Sequence, residues 1–378
     1  MILGEVENCT PYAWFTFEKM GPAERLYDIV IVKAACALHP GRGGEGIVAL
    51  DETAPIHLAD EHFGAPERSP LRIAGDTLLY KPGTDVFFRG HARPLQNLSE
   101  QWAADLEIGT RRHRWRLSGE RHWQWSLMRG WHLSAAQPCE TLPLRYELAF
   151  GGSYTRRGEV LEHTENPVGR GWLDANRLDR EQHYPAPRIE HFAHPASEPG
   201  RPIPIPGLGP VPRYWTARSR YAGTYDDAWR ERFNRGENPG YPRDFDPRFF
   251  QAAHPDWQFE QPLVGGEAVA LVGLTGDEPL LGIIPGWRVE ALLVGTGAPV
   301  VAPLRLDTLD FDLDWRRRDG IVRRARMGWR SRKGGLLQTA HIVSMDTSTP
   351  QMLKGESRRS RVSSDWIRQS GANMHSAQ

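Results

Sequence analysis

Between Tyr184 and Arg213 the chain places nine prolines, including the run Pro202-Ile203-Pro204-Ile205-Pro206. Proline has no amide hydrogen and a fixed φ, so neither a central strand nor a helix interior accepts such a segment. This stretch must run as irregular backbone, whatever its flanks form. A low-complexity linker is one outcome. The aromatic residues around it, Trp172, Phe192, Tyr214, Trp215, Trp229 and Trp257, argue instead for an ordered loop layer packed on a scaffold. The same punctuation runs through the whole chain. With 38 Gly and 30 Pro in 378 residues, short strands and long ordered loops are favoured over helix bundles.

On either side the sequence reads as strands. Residues 12–17 and 26–38 flank the turn signal Met20-Gly21-Pro22. Residues 84–89 are short, β-branched and aromatic. Trp102, Ala104, Leu106 and Ile108 alternate with Ala103, Asp105 and Glu107. Trp115 and Leu117 alternate with Arg114 and Arg116, and Gly109-Thr110-Arg111 lies between the two runs. This is a hairpin with one apolar and one charged face. Leu144, Tyr146, Leu148 and Phe150 alternate again, up to Gly151-Gly152. Residues 225–233 and 246–253 read as short helical turns. Strand texture returns at 268–274, 280–284, 289–294 and 304–315, and Asp319-Gly320 reads as a hairpin turn into 321–330. A two- or four-residue loop there puts Asp310, Asp312 and Asp314 on the sheet face of Arg323, with cross-strand ion pairing. The expected fold is mainly β, with two packed sandwich-like regions and few short helices. Residues 1–152 form the N-terminal β-rich region and 263–349 the C-terminal one. Residues 153–262 form the irregular Pro/Gly- and aromatic-rich central segment, and 350–378 a polar, frayed tail.

Charge narrows the function classes. Lys plus Arg is 47 and Asp plus Glu is 47, so the net charge is zero, against a polyanion-binding surface. The run Arg316-Arg317-Arg318, with Arg323, Arg324 and Arg326, reads as a salt-bridged hairpin rather than a nucleic-acid patch. No apolar stretch approaches the ~20 residues of a membrane helix, and residues 1–7 carry no signal-peptide pattern. Cys9, Cys36 and Cys139 are odd in number and far apart, which fits a reducing cytoplasm. Neither nucleic acid nor membrane is expected as a partner, and the expected location is cytoplasmic.

Catalytic signatures are missing. Gly41-Arg42-Gly43-Gly44-Glu45-Gly46 matches G-x-G-x-x-G, but Ile47-Val48-Ala49-Leu50 continues it as a strand where a dinucleotide site needs a helix. A hairpin loop is the better reading. Two groups bear metal-ligand residue types: His57, Asp60, Glu61 and His62, then Glu190, His191 and His194. Neither has H-E-x-x-H spacing, so surface or capping roles are expected and no metal or cofactor is. There is no G-x-S-x-G, P-loop or C-x-x-C, and Cys36 reads as a core residue. Arg and aromatic side chains are the usual anchors of protein interfaces, and only five of the 47 basic residues are Lys. Binding is favoured over catalysis.

A series of short motifs runs through the chain. It opens with Asn8-Cys9-Thr10-Pro11-Tyr12, followed by Val32-Lys33-Ala34. Lys81-Pro82-Gly83-Thr84-Asp85-Val86 precedes Gly90-His91-Ala92, and Gly119-Glu120-Arg121-His122-Trp123 follows. Pro143-Leu144-Arg145-Tyr146-Glu147 leads into Ala149-Phe150-Gly151-Gly152, and then Asn166-Pro167-Val168-Gly169-Arg170-Gly171. Trp215-Thr216-Ala217-Arg218, Ala222-Gly223-Thr224-Tyr225-Asp226 with Trp229, and Leu306-Asp307-Thr308 complete it. In order and content this series resembles the bacterial family known as domain of unknown function 2169, whose members accompany type VI secretion spike and effector genes. Glu120 stands where the family pattern has Asp, and Ala217 where it has Pro. The pentapeptide repeats of some relatives are absent, so no function tied to them carries over.

The resemblance implies a non-enzymatic adaptor or chaperone of the producing cell. Its partners would be a type VI effector with a PAAR-like domain and the valine-glycine-repeat spike protein. No catalytic residue carries over. Trp172, Trp215, Tyr225 and Trp229 are the candidate partner-binding residues. The motif residues Lys81, Asp85, Arg121, Trp123, Glu147, Gly151, Gly152, Asn166, Gly169, Gly171, Arg218, Gly223 and Asp226 are expected to be structural. Among them Lys81, Asp85, Arg121 and Glu147 are expected in partly buried ion pairs. Two other readings stay open: a hydrolase acting on carbohydrate or peptidoglycan through paired carboxylates, and a structural component of the secretion apparatus.

Overall fold

The strongest apolar alternation becomes two facing sheets. The strands that build them are β1 (Ala13–Met20), β2 (Leu26–Leu38), β3 (Ile47–Thr53), β4 (Asp85–Arg89), β5 (Gln101–Ile108), β6 (Arg111–Ser118), β7 (Ile189–His191), β8 (Ala268–Val272), β9 (Leu280–Ile283), β10 (Arg305–Asp312) and β11 (Arg323–Lys333). The computed structural model describes residues 5–21, 26–38, 47–237, 239–276, 279–286, 288–294, 300–314, 316–317, 320–321, 323–333 and 339–345. All of them lie within one compact unit, Met1–Asp346.

The first sheet has the order β1-β2-β11-β10-β4, with β3 also pairing β2. Residues 29–37 of β2 are all buried, Lys33 included, so this strand is covered on both faces and its sequence is a nearly continuous apolar run. The second sheet is antiparallel, in the order β7-β6-β5-β8-β9. Its β5–β6 hairpin pairs Ile108 with Arg111 and Trp102 with Leu117, as the alternation requires. The fold is mainly β. Strands from the two ends of the chain interleave: β2 pairs β11, β4 lies parallel to β10, and β5 pairs β8. A third sheet joins Glu5–Asn8, Thr339–Met345, Arg288–Val294 and Val300–Pro303.

The two main sheets meet through aromatic side chains. Phe88 of β4 stacks on Phe311 of β10 at 5.3 Å and meets the edges of Trp115 of β6 at 5.7 Å and Trp257 at 5.0 Å. All four are buried. Burying each such side chain contributes roughly 2–3 kcal/mol before conformational entropy is subtracted.

The proline-rich stretch is part of this core. Residues 205–212 are buried without belonging to a strand. A buried segment outside a sheet must satisfy every amide hydrogen individually, and proline brings none. Three of the five remaining donors are met by partners from three different segments. Gly207 N–H donates to Asp256 Oδ2 at 3.1 Å, Leu208 N–H to the Tyr146 hydroxyl at 3.2 Å, and Val211 N–H to the Ala252 carbonyl at 2.7 Å. Tyr146 in turn donates to the Gly209 carbonyl at 3.1 Å. Proline here lowers the number of hydrogen bonds a buried irregular segment has to find.

The ion pairing expected around Arg323 is corrected. The short strands Arg316–Arg317 and Gly320–Ile321 pair with each other, but β10 and β11 place Asp312 opposite Arg324 and Asp310 opposite Arg326. The register is shifted by one residue between the two ladders, and a one-residue shift exchanges sheet faces. The acidic side chains have partners on the β4 side. Arg89 donates to Asp310 at 2.7 and 2.8 Å, and Asp314 pairs with His91 and Arg93. The segment Gly41–Gly46 and the expected tail 350–378 lie outside the described residues.

Candidate functional site

The motifs build a framework of buried polar locks. Lys81 Nζ lies 2.9 Å from Asp85 Oδ2, with side chains 3% and 0% exposed. Lys81 also donates to Thr308 Oγ1 at 2.7 Å, which joins the motif at 81–86 to the one at 306–308. Asp85 Oδ2 accepts the Ala252 N–H at 2.7 Å. Thr84 donates to the Leu306 carbonyl at 2.6 Å and accepts the Leu263 N–H at 2.9 Å. This one segment ties β4, β10 and the central loops together.

Two further locks hold the middle of the chain. Arg121 donates twice to the Pro187 carbonyl, at 3.0 and 2.8 Å, and pairs with buried Glu190 at 2.8 Å. Trp123 is buried beside Ala186 and Ala196. Glu120, where the family pattern has Asp, reaches Arg170 at 2.9 Å and Arg188 at 3.3 Å. Asn166 is fully buried and donates to the Tyr146 and Phe150 carbonyls, each at 2.8 Å. Gly151 pairs with Gly171 in a short parallel ladder, and Gly152 N–H donates to the Asn166 carbonyl at 2.8 Å. A Cβ on Gly169 would meet the Asn166 side chain at 2.5 Å. Glu147 pairs with Arg145 in a half-exposed position. Buried Arg218 donates to the Val211 and Phe249 carbonyls, at 2.9 and 3.0 Å.

His163 belongs to this region and is held neutral. It packs edge-on between Phe150 and Trp172, at 5.4 and 5.5 Å, and burial pushes its pKa down against the weaker opposing pull of Glu165. A histidine with a depressed folded pKa binds fewer protons folded than unfolded, so its contribution is present above the unfolded value of about 6.5 and is lost as pH falls from there through the lower folded value. The melting temperature is expected to fall between pH 7.5 and 5.5, and His163→Leu to flatten that fall. An unchanged slope in thermal scans of the variant would remove this assignment.

Of the candidate contact residues, Trp215 is corrected. It is 1% exposed and packs edge-on against Tyr146 at 5.3 Å, so it presents no surface. Trp172 is half-buried against Tyr154 and His163. Tyr225 and Trp229 stand at a different place. Helix α1 (Thr216–Ser219) ends shortly before Gly223, whose φ of +77° turns the chain into helix α2 (Asp227–Asn234). Ala217 sits in the first turn of α1, where the Pro of the family pattern also fits. Asp226 caps α2 by accepting the Trp229 N–H at 2.8 Å. Not one residue of α2 is buried. Tyr225 meets Trp229 edge-on at 4.7 Å and Trp229 stacks on Phe233 at 5.3 Å, forming an aromatic ladder with a spacing of four. Phe233 is 58% exposed and Tyr225 38%. A second apolar exposure is the hairpin tip Leu127-Met128, 88% and 97% exposed.

The two histidine groups separate. His57 and Arg72 pair with Glu61, and Asp60 pairs with Arg213 at 3.0 Å and accepts the Gly75 N–H. Glu190 belongs to Arg121. His191 faces His113 and Asp256 instead: His191 Nε2 is 3.2 Å from Asp256 Oδ2, and the two imidazole rings are 5.9 Å apart. Burial raises the Asp256 carboxyl, but hydrogen bonds and positive charge from His191 and His254 outweigh it and hold it well below the usual carboxylate range. Burial also pushes the His113 imidazole down.

A cavity of about 30 Å³ is lined by Lys33, Asp76, Arg89, Asp307 and Asp310 among others. That is room for about one water, far below the ~300 Å³ of a small-molecule site. No described helix is long and apolar enough to cross a membrane.

A family model described as "Uncharacterized protein conserved in bacteria (DUF2169)" matches residues 23–323. No curated protein and no solved structure matches the chain.

Proposed function

The chain belongs to the DUF2169 family, and from that premise we propose that it is a non-enzymatic adaptor that binds and stabilises a type VI secretion effector and helps load it onto the spike. The effector carries a PAAR-like domain, and the adaptor acts in the cytoplasm of the producing cell. The observation that supports this reading is helix α2. It buries none of its residues yet carries two stacked aromatic side chains, Trp229 and Phe233, with Tyr225 edge-on to Trp229 just before the helix, and this row is held by the Asp226 cap and by the Trp229 indole N–H donating to the Gly240 carbonyl at 3.1 Å. Rigid, partly exposed aromatics flanked by arginines, here Arg230, Arg232 and Arg235, are the composition of interface hot spots.

Co-expression with each neighbouring effector and spike protein, followed by pull-down and effector half-life, tests the reading. An effector should co-purify and be degraded when this chain is omitted. Phe233→Ala should weaken binding by about 30-fold, the size of one hot-spot residue, without lowering the melting temperature. Trp229→Ala should do the same with some loss of helix stability. Binding that survives both changes but is lost in Leu127→Ser/Met128→Ser would move the interface to the hairpin tip. No co-purifying effector and no change in effector half-life would sink the adaptor reading.

A further inference from the structure

We propose that His113, His191 and Asp256 bind one divalent transition-metal ion of the zinc class. The three come from distant parts of the chain: His113 from β6, His191 from the end of β7, and Asp256 from a one-turn 3-10 helix, Pro255–Trp257. Strand register places the two histidines. Trp115 lies opposite His191, so His113 is the diagonal neighbour of His191 on the same face. The turn carrying Asp256 closes over that face, with Trp257 edge-on to His113 at 4.7 Å. Both imidazoles are thus fixed by a sheet and the carboxylate by a packed turn, the rigid support that metal ligation needs.

The distances suit a small cation. One donor atom from each residue lies within 4.8 Å of the other two. Ligand atoms around a tetrahedral zinc, with bonds of about 2.0–2.2 Å, stand roughly 3.3 Å apart. The His191–Asp256 separation of 3.2 Å already meets that spacing, and side-chain rotations on the order of 1 Å bring in His113. Asp256 Oδ2 is oriented by the Gly207 N–H at 3.1 Å, an outer hydrogen bond of the kind that positions metal-binding carboxylates. His254 Nδ1, 3.5 Å from the same oxygen, accepts the Asp256 N–H at 3.3 Å and helps to fix the turn that carries the carboxylate. Two imidazoles and one carboxylate favour zinc, cobalt, nickel or copper over calcium and magnesium, which take oxygen donors. The ion would fasten the turn at Asp256, and through Gly207 the buried proline-rich segment, to the edge of the second sheet. This inference does not depend on the adaptor reading.

The test uses the full chain without a histidine tag, stripped with chelator and titrated with zinc chloride by calorimetry and with cobalt chloride by visible absorption. One equivalent of zinc should bind and raise the melting temperature, and cobalt should give the visible bands of a low-symmetry site. His191→Ala and His113→Gln should each weaken zinc binding at least 100-fold. His183→Ala, at a histidine stacked on His122 elsewhere, should leave it unchanged. Failure of the wild-type chain to take up a stoichiometric equivalent overturns the proposal, even if a variant does not fold. So does binding that the His191 and His113 variants retain.

Discussion

Asp85→Ala is expected to lower the free energy of unfolding by about 3–5 kcal/mol, because it strands a buried ammonium group. Lys81 and Asp85 are 3% and 0% exposed and 2.9 Å apart. The carboxylate also accepts the Ala252 N–H, so the change leaves a buried donor unmet as well as a buried charge. Thr308 is the other group that Lys81 donates to, and a hydroxyl cannot neutralise it. A urea-denaturation midpoint measures the effect. The pair is costly to break but is not expected to be stabilising overall. Lys81→Met/Asp85→Leu should recover most of the loss, since buried pairs often exchange for apolar side chains of similar volume at little cost. A single variant with an unchanged midpoint would show that water reaches the lysine.

Gly151→Ala should be nearly as damaging, on the order of 4 kcal/mol, through a different cause. Gly151 has φ of +140°, which an L side chain rarely adopts, and an added Cβ would lie 2.2 Å from the Asn166 carbonyl oxygen. That oxygen accepts the Gly152 N–H, and the Asn166 side chain bonds Tyr146 and Phe150. Moving it therefore disturbs hydrogen bonds around the core tyrosine that braces Leu208 and Gly209. Loss of soluble expression, or a large fall in melting temperature, is the expected result. Gly158→Ala is the control, because φ there is +87° but nothing lies within 4 Å of the added carbon. If the two variants melt alike, crowding at Gly151 is not the cause.

Local patterns were readable where a turn and an alternation agreed. The β5–β6 hairpin has both, and its apolar face is the buried one. The register of β10 against β11 was not readable, because a one-residue shift leaves the composition of both strands unchanged while exchanging their faces. Ion-pair partners follow the same division. Lys81 and Asp85 are four residues apart and can be paired by eye, whereas Arg121 finds Glu190, a residue singled out as a ligand type rather than a counter-ion. Trp215 shows the limit of composition, since a tryptophan in a loop layer reads the same whether it faces inward or outward. Phe233 was available in principle, at the spacing of four that links Tyr225 to Trp229. His113 and Asp256 carried no such signal, because only the fold brings them to His191.

The interleaving of the two chain ends has a consequence for synthesis. β2 finds its main partner, β11, only after nearly three hundred further residues have been made, and β4 likewise waits for β10. Until then the ribosome displays a strand that is apolar on both faces and has an open edge, the kind of surface that recruits other chains. Loop closure over such a distance is slow, so folding is set by the arrival of the last strands rather than by the order of translation. A protein proposed to shield others would itself need shielding while it is being made, and any truncation before β11 should yield aggregates rather than a smaller folded core.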